Sequence, residues 1–142
     1  MSGPSLRPAP AALSDAERRQ LLEAARKALS NAYAPYSNFQ VGAAVLTEAG
    51  NLYSGCNVEN ASYGLTICAE RTAICSAAAA EGPTMKIRAI AVLNGNDAPC
   101  SPCGACRQFI FEFGLGARVL FQGAKGVEES TASELLPAGF GL

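Results

Sequence analysis

Phe39–Asn60 reads FQVGAAVLTEAGNLYSGCNVEN. Two runs, the largely apolar FQVGAAVLT (39–47) and LYSGCNVEN (52–60), flank the four residues EAGN. So short a connection reads as a turn, and the two runs read as strands of an antiparallel hairpin. Strands joined later through helices need crossover connections, and those make parallel pairs. A hairpin followed by crossovers therefore predicts a mixed sheet.

Upstream of the hairpin, a helix is predicted over Ser14–Ala32. Ser14 and Glu17 form a Ser-x-x-Glu capping box, and Leu22, Ala25, Leu29 and Ala32 recur at helical spacing as the face expected to meet a core. YAPYSN (33–38) reads as a loop. Downstream, TICAERTAICSAAAA (66–80) is Ala-rich, apolar on most sides and ends at EGP, which predicts a buried helix. KIRAIAVLN (86–94) reads as a strand, and GACRQFIFEF (104–113) as a helix stopped by Gly114. ARVLFQ (117–122) reads as a strand, and GVEEST (126–131) as a candidate fifth across the turn GAKG. TASELLP (131–137), with a second Thr-x-x-Glu box, reads as a short last helix. The order α-β-β-α-β-α-β-(β)-α fits one mixed sheet flanked by helices.

The chain has 142 residues, enough for one domain with a usable core. Hydrophobic residues make up 49% and charged residues 16%, the balance of a folding rather than a disordered sequence. A net charge of -1 with no Lys/Arg cluster argues against a nucleic-acid or anionic-membrane partner. No apolar run approaches the roughly 18 residues of a membrane span. Residues 1–13 are rich in Pro, Gly and Ala without an apolar signal core, so they are expected to be a flexible tail ahead of a single domain at 14–142. The expected compartment is the cytoplasm, where thiols stay reduced, so six cysteines point to metal or catalysis before disulfides.

Histidine is absent, which excludes Ser-His-Asp and Cys-His catalysis and leaves cysteines and carboxylates to hold any zinc. Cys68 and Cys75 lie seven residues apart, roughly 10 Å along a helix, so they cannot share one zinc at about 2.3 Å. Cys75 is expected to be a small core residue. Arg71 falls on the face of Cys68 and can reach a thiolate there, while Glu70 joins the same site only if that site lies off the helix N-terminus. In PCSPCGACR (Pro99–Arg107), Pro-Cys-x-x-Cys fits twice. Pro102 suits a helix start and puts Cys103 and Cys106 on one face of the first turn, the better pair on geometry. Such a pair fits equally a redox couple or half of a structural zinc site. With Cys68 as a third ligand, a zinc would keep one open position, as a catalytic zinc needs. Asn57 and Glu59, two apart on the second predicted strand, point to one face as a candidate binding pair.

CAE (68–70) followed by PCGAC (102–106) resembles the zinc nucleoside-deaminase signature. FQVGAAV (39–45), GCNVENASYGLTICAERTAI (55–74), SPCGACRQ (101–108) and ELLPAGF (134–140) widen the likeness to the small homotetrameric cytidine deaminases, from about Leu21 to the C-terminus. The resemblance implies a three-layer α-β-α fold around a mixed sheet of about five strands. It implies one zinc per subunit on Cys68, Cys103 and Cys106, with Cys56, Cys75 and Cys100 as bystanders. Glu70 matches the proton-shuttling glutamate, and Arg71 the arginine that offsets thiolate charge. Asn57 and Glu59 match ribose-holding residues, Phe39 the ring that packs on the pyrimidine, and Ala69 a backbone contact to the base. Phe140 resembles an aromatic that enters a neighbouring subunit's site in a homotetramer. The implied activity is zinc-dependent hydrolytic deamination of cytidine and 2′-deoxycytidine in pyrimidine salvage. Two alternatives are a deaminase of another cytosine nucleoside, such as blasticidin S, and a closed structural zinc module with Cys100 as fourth ligand.

Overall fold

The computed structural model describes residues 12–142. The expected tail at 1–13 therefore falls, but for its last two residues, outside the described part, and Leu13 packs against the core under the first helix. That helix, α1, runs Asp15–Leu29. Ser14 Oγ accepts from the Glu17 backbone N–H, and Glu17 Oε1 accepts from the Ser14 N–H, so both halves of the capping box form. The buried face is Leu21, Ala25 and Ala28, with Leu22 and Leu29 at its edge. Ala32 does not join it, because the helix ends three residues earlier.

The hairpin forms as predicted, with β1 at Val41–Thr47 and β2 at Leu52–Cys56 paired antiparallel. After it come α2 (Ala69–Glu81), β3 (Ile87–Asn94), α3 (Gly104–Phe113), β4 (Arg118–Gly123), β5 (Gly126–Thr131) and α4 (Ala132–Leu135). One five-stranded sheet has the order β2-β1-β3-β4-β5. β1 pairs antiparallel with both β2 and β3, β3 runs parallel to β4, and β5 returns antiparallel. The candidate fifth strand is thus real.

Alternation along the strands sends side chains to two cores. Ala43 and Val45 of β1, Ile90 and Val92 of β3 and Val119 of β4 meet α2 and α3 through Ala69, Ala73, Ile74, Ala77 and Ile110. Ala44, Leu46, Ala89, Ala91, Leu93 and Leu120 meet Leu21 and Ala25 of α1 on the opposite face. The result is three layers, α1, sheet and α2/α3. Ile87 shares the first core with Ile90 because the register shifts at Leu46/Thr47 opposite this stretch, and a bulge moves one residue out of phase.

Two glycines let helices sit directly on the hairpin. A Cβ on Gly42 would stand 2.0 Å from the Ala25 carbonyl oxygen of α1, and one on Gly55 would stand 2.4 Å from the Ala73 nitrogen of α2. Cys75 departs from expectation. It is exposed, because the face of α2 turned to the sheet is Ala69, Ala73, Ile74 and Ala77. A helix so rich in alanine has little amphipathic contrast to announce which side is buried.

The topology also places the helix starts. β2 and β3 are both antiparallel to β1, hence parallel to each other, and β3 is parallel to β4. Their C-terminal ends lie on one sheet edge, so α2, which follows β2, and α3, which follows β3, both begin there. That edge is where open α/β sheets bind ligands.

Candidate active site

Cys68 is the N-cap of α2 and Cys103 the N-cap of α3. Each is extended, with φ/ψ of -70°/154° and -67°/168°, and their sulfurs meet at 3.9 Å. Cys106, one turn into α3 and buried, completes a cluster in which the three Sγ atoms lie within 4.8 Å of one another. Ligands about 2.3 Å from a tetrahedral zinc stand about 3.8 Å apart, so this donor set fits zinc in both chemistry and spacing. Three sulfurs leave one of the four positions open. Cys100 is not in the cluster: its N–H donates to the Gln122 carbonyl at 2.9 Å, and its thiol faces the Ser101 carbonyl at 3.9 Å. That separates the pair Cys103/Cys106 from the other reading of PCSPCGACR and leaves a closed four-cysteine module without its fourth ligand.

The site lies off the two helix ends, as an end-on approach by Glu70 requires. Helix N-termini carry free N–H groups and a partial positive charge, which favour thiolates. Arg71 Nη2 donates to Cys68 Sγ at 3.3 Å, and its Nε is buried with no hydrogen-bond partner. The neighbouring Cys106 thiol, with help from Arg71, holds the Cys68 thiol down to about 5. The same pairing with Cys68, together with burial, pushes the Cys106 thiol far up. Contact with Cys68 keeps Arg71 firmly a cation. Glu70 is only 4% exposed, and burial raises its carboxyl above the ordinary range, with the negative charge of Cys68 adding to the effect. Ala69, between ligand and glutamate, is completely buried, and its carbonyl accepts from Thr72 Oγ1 at 2.8 Å.

The second predicted strand ends at Cys56, so Asn57 and Glu59 lie just beyond β2 rather than within it. Val58 keeps the extended direction through bridges to Tyr33 and Ile67, which sets this segment beside the approach to Cys68. Asn57 Oδ1 accepts from the Val41 N–H at 2.9 Å, and its Nδ2 donates to the Phe39 carbonyl at 2.8 Å. Glu59 Oε1 accepts from the N–H groups of Tyr36 (2.9 Å) and Ser37 (3.2 Å), and its Oε2 accepts from Ser37 Oγ at 2.5 Å. The Ser37 hydroxyl, followed by these amides, holds the Glu59 carboxyl below its ordinary range. Ser37 Oγ also accepts from the Phe39 N–H at 3.0 Å. Phe39, Asn57 and Glu59 are thereby brought together around one loop, and Tyr36, Ser37, Glu59, Asn60, Tyr63 and Thr66 line a cavity of about 370 Å³ beside it.

Phe140 is placed elsewhere. Its carbonyl accepts from Gln108 Nε2 of α3 at 2.9 Å, while its side chain is 67% exposed. Ser37, the link between Glu59 and Phe39, was missed by sequence reasoning, because a loop serine carries no spacing signal. So was the one-turn 3₁₀ segment Tyr63–Leu65, whose Tyr63 ring meets Tyr36 edge-on at 6.0 Å.

Residues 15–122 match the family model described as the cytidine and deoxycytidylate deaminase zinc-binding region. The chain is 47% identical over 123 residues to a cytidine deaminase of Sporosarcina psychrophila, covering 85% of this chain and 89% of that one. It is 41% identical over 128 residues to a cytidine deaminase of Mycobacterium tuberculosis, covering 90% and 92%. Among solved structures, a cytidine deaminase from Burkholderia pseudomallei superimposes with a TM-score of 0.78 at 47% identity, over 90% of this chain and all of that one. One from Mycobacterium tuberculosis gives 0.77 at 40% identity. With the family's zinc-binding region matched over most of this chain and three thiols gathered at two helix starts, this chain belongs to the cytidine and deoxycytidylate deaminase family.

Proposed function

We propose that this protein hydrolyses cytidine and 2′-deoxycytidine to uridine and 2′-deoxyuridine with release of ammonia, as a step of pyrimidine salvage in the cytoplasm. The observation that carries the reading is the buried Glu70 carboxyl next to a three-thiol cluster with one coordination position to spare. Cys68, Cys103 and Cys106 would hold zinc, which when bound would lower the pKa of a water toward about 7.

Glu70 accepts the proton of the attacking water and hands it to N3 of the cytosine ring, which makes C4 electrophilic. After the C–O bond forms at C4, Glu70 takes up the proton of the new hydroxyl and delivers it to the amino group, so the C4=O bond forms as the C–N bond breaks and ammonia leaves. A carboxyl raised by burial is a better proton donor near neutral pH than an exposed one. Three thiolates leave a divalent ion at net -1, which Arg71 and the two helix N-termini offset. Phe39 packs on the pyrimidine, the Ala69 backbone meets the base, and Asn57 and Glu59 hold the ribose. Hydrogen bonds already made leave Glu59 little spare acceptor capacity, suited to one sugar hydroxyl.

Assembly as a homotetramer is part of the same reading, with Phe140 completing a neighbour's site. Its support is the exposure of large apolar side chains that an interface would cover, among them Tyr33, Tyr63, Leu65 and Phe140. The test is loss of cytidine absorbance with purified protein, wild type against Glu70→Gln. Unimpaired turnover by Glu70→Gln would refute the mechanism. Unimpaired cytidine turnover by Glu59→Ala would mean that the sugar is not read as described and would turn the search to other cytosine nucleosides.

A further inference from the structure

Arg107 directly follows Cys106, the last cysteine of the cluster. Its guanidinium makes three hydrogen bonds in three directions. Nε donates to the Pro102 carbonyl at 2.7 Å, Nη2 to Ser101 Oγ at 2.9 Å, and Nη1 to the Leu135 carbonyl at 2.9 Å. The first two acceptors belong to the two residues that precede Cys103. The Pro102 carbonyl lies in the peptide plane that leads into Cys103, so holding that oxygen fixes how the cysteine enters the N-cap of α3. The third acceptor ends α4, which is itself fixed to the sheet side of the molecule, with the Ala132 N–H on the Ala117 carbonyl at 3.0 Å and the Ser133 N–H on the Leu115 carbonyl at 3.1 Å.

We infer that Arg107 is a positioning residue for the zinc site: it ties the Ser101–Pro102 segment to the end of α4 and so holds Cys103 Sγ in reach of Cys68 and Cys106. The need for such a tie follows from the local chain. Cys103 sits at the end of an extended segment, and its side chain makes no capping bond to α3. The segment's backbone attachment to the sheet is three residues back, where Cys100 bridges Gln122. Cys68 has Arg71 on its own sulfur, and Cys106 is buried within α3, so Cys103 is the exposed ligand of the three. A planar fork with several fixed donors suits three divergent acceptors, whereas a lysine ammonium on a flexible stem does not.

The inference rests on zinc binding by the cluster and is independent of which nucleoside is used. Zinc release from the folded holoenzyme into a colorimetric chelator reads it directly. Wild type would be compared with Arg107→Ala and with Arg26→Ala, which removes the exposed Arg26–Asp97 pair away from the cluster. Far-UV circular dichroism would be followed over the same time course. Partners that orient metal ligands are worth about 10–100-fold in metal affinity, so Arg107→Ala is expected to release zinc at least about tenfold faster while the circular dichroism signal persists. Arg107→Lys keeps the charge but not the fork, is expected to behave in the same direction, and carries the comparison if the alanine variant does not fold. Release at the wild-type rate, or release that only tracks loss of the far-UV signal, would overturn the inference and leave the deaminase reading untouched.

Discussion

Cys68 and Cys103 do two jobs at once: each ends an extended segment as a helix N-cap, and each turns its sulfur toward the other. Their spacing in the sequence pointed to the cluster, because Pro102 marks a helix start and CAE opens another. Cys100 lies outside the three-thiol cluster, so Cys100→Ala should keep full zinc content by elemental analysis, while Cys103→Ala and Cys106→Ala should lose it. General acid–base groups contribute about 10²–10⁴-fold, so Glu70→Gln should lower kcat by that order with zinc retained. Asn57 and Glu59 stand out in the sequence as a pair two residues apart, but their place beyond β2 and their bonds to the 36–41 segment do not, since these depend on how the loop folds back. Ser37 is the plainest case: its single hydroxyl links Glu59 to Phe39.

That link gives the Tyr33–Phe39 loop a defined pH response. Its hydrogen bonds to Ser37 and the loop amides lower the folded-state pKa of Glu59. The stabilisation is therefore present above the ordinary carboxyl value of about 4.3 and is lost as pH falls through the lowered value. Hydrogen exchange at the Tyr36 and Ser37 amides should accelerate, relative to the rest of the chain, only in that acid range. Ser37→Ala should move the transition to higher pH. Among the regular elements, Gly55 is the contact that seats α2. A methyl group there would meet the Ala73 nitrogen at 2.4 Å and Thr72 Oγ1 at 2.4 Å, so Gly55→Ala must push the start of α2, and Cys68 with it, off β2. Overpacking of this kind costs about 1–3 kcal/mol, which thermal unfolding should read, together with weakened zinc binding. Strand and helix order could be read from the sequence because periods and punctuation were strong. The buried face of α2 could not, as Cys75 shows, because alanines on every side leave the sheet to choose.

At the scale of the molecule, the hairpin sets everything else. Together with the crossover through α3, it makes β2, β3 and β4 mutually parallel, sends the starts of α2 and α3 to one edge, and so brings together cysteines 35 residues apart in the chain. What a single chain leaves uncovered is Phe140 on its α3 anchor and the Tyr33, Tyr63 and Leu65 surface. Light scattering should report four chains per particle, and Phe140→Ala should raise KM for cytidine with zinc content unchanged. The measurement that tests the central claim most directly is zinc content and cytidine turnover on one purified sample of wild type and of Glu70→Gln. The account predicts one zinc per chain in both and turnover about 10²–10⁴-fold slower in Glu70→Gln than in the wild type. Fully zinc-loaded wild type that leaves cytidine intact, or a Glu70→Gln variant that turns it over at the wild-type rate, would contradict it.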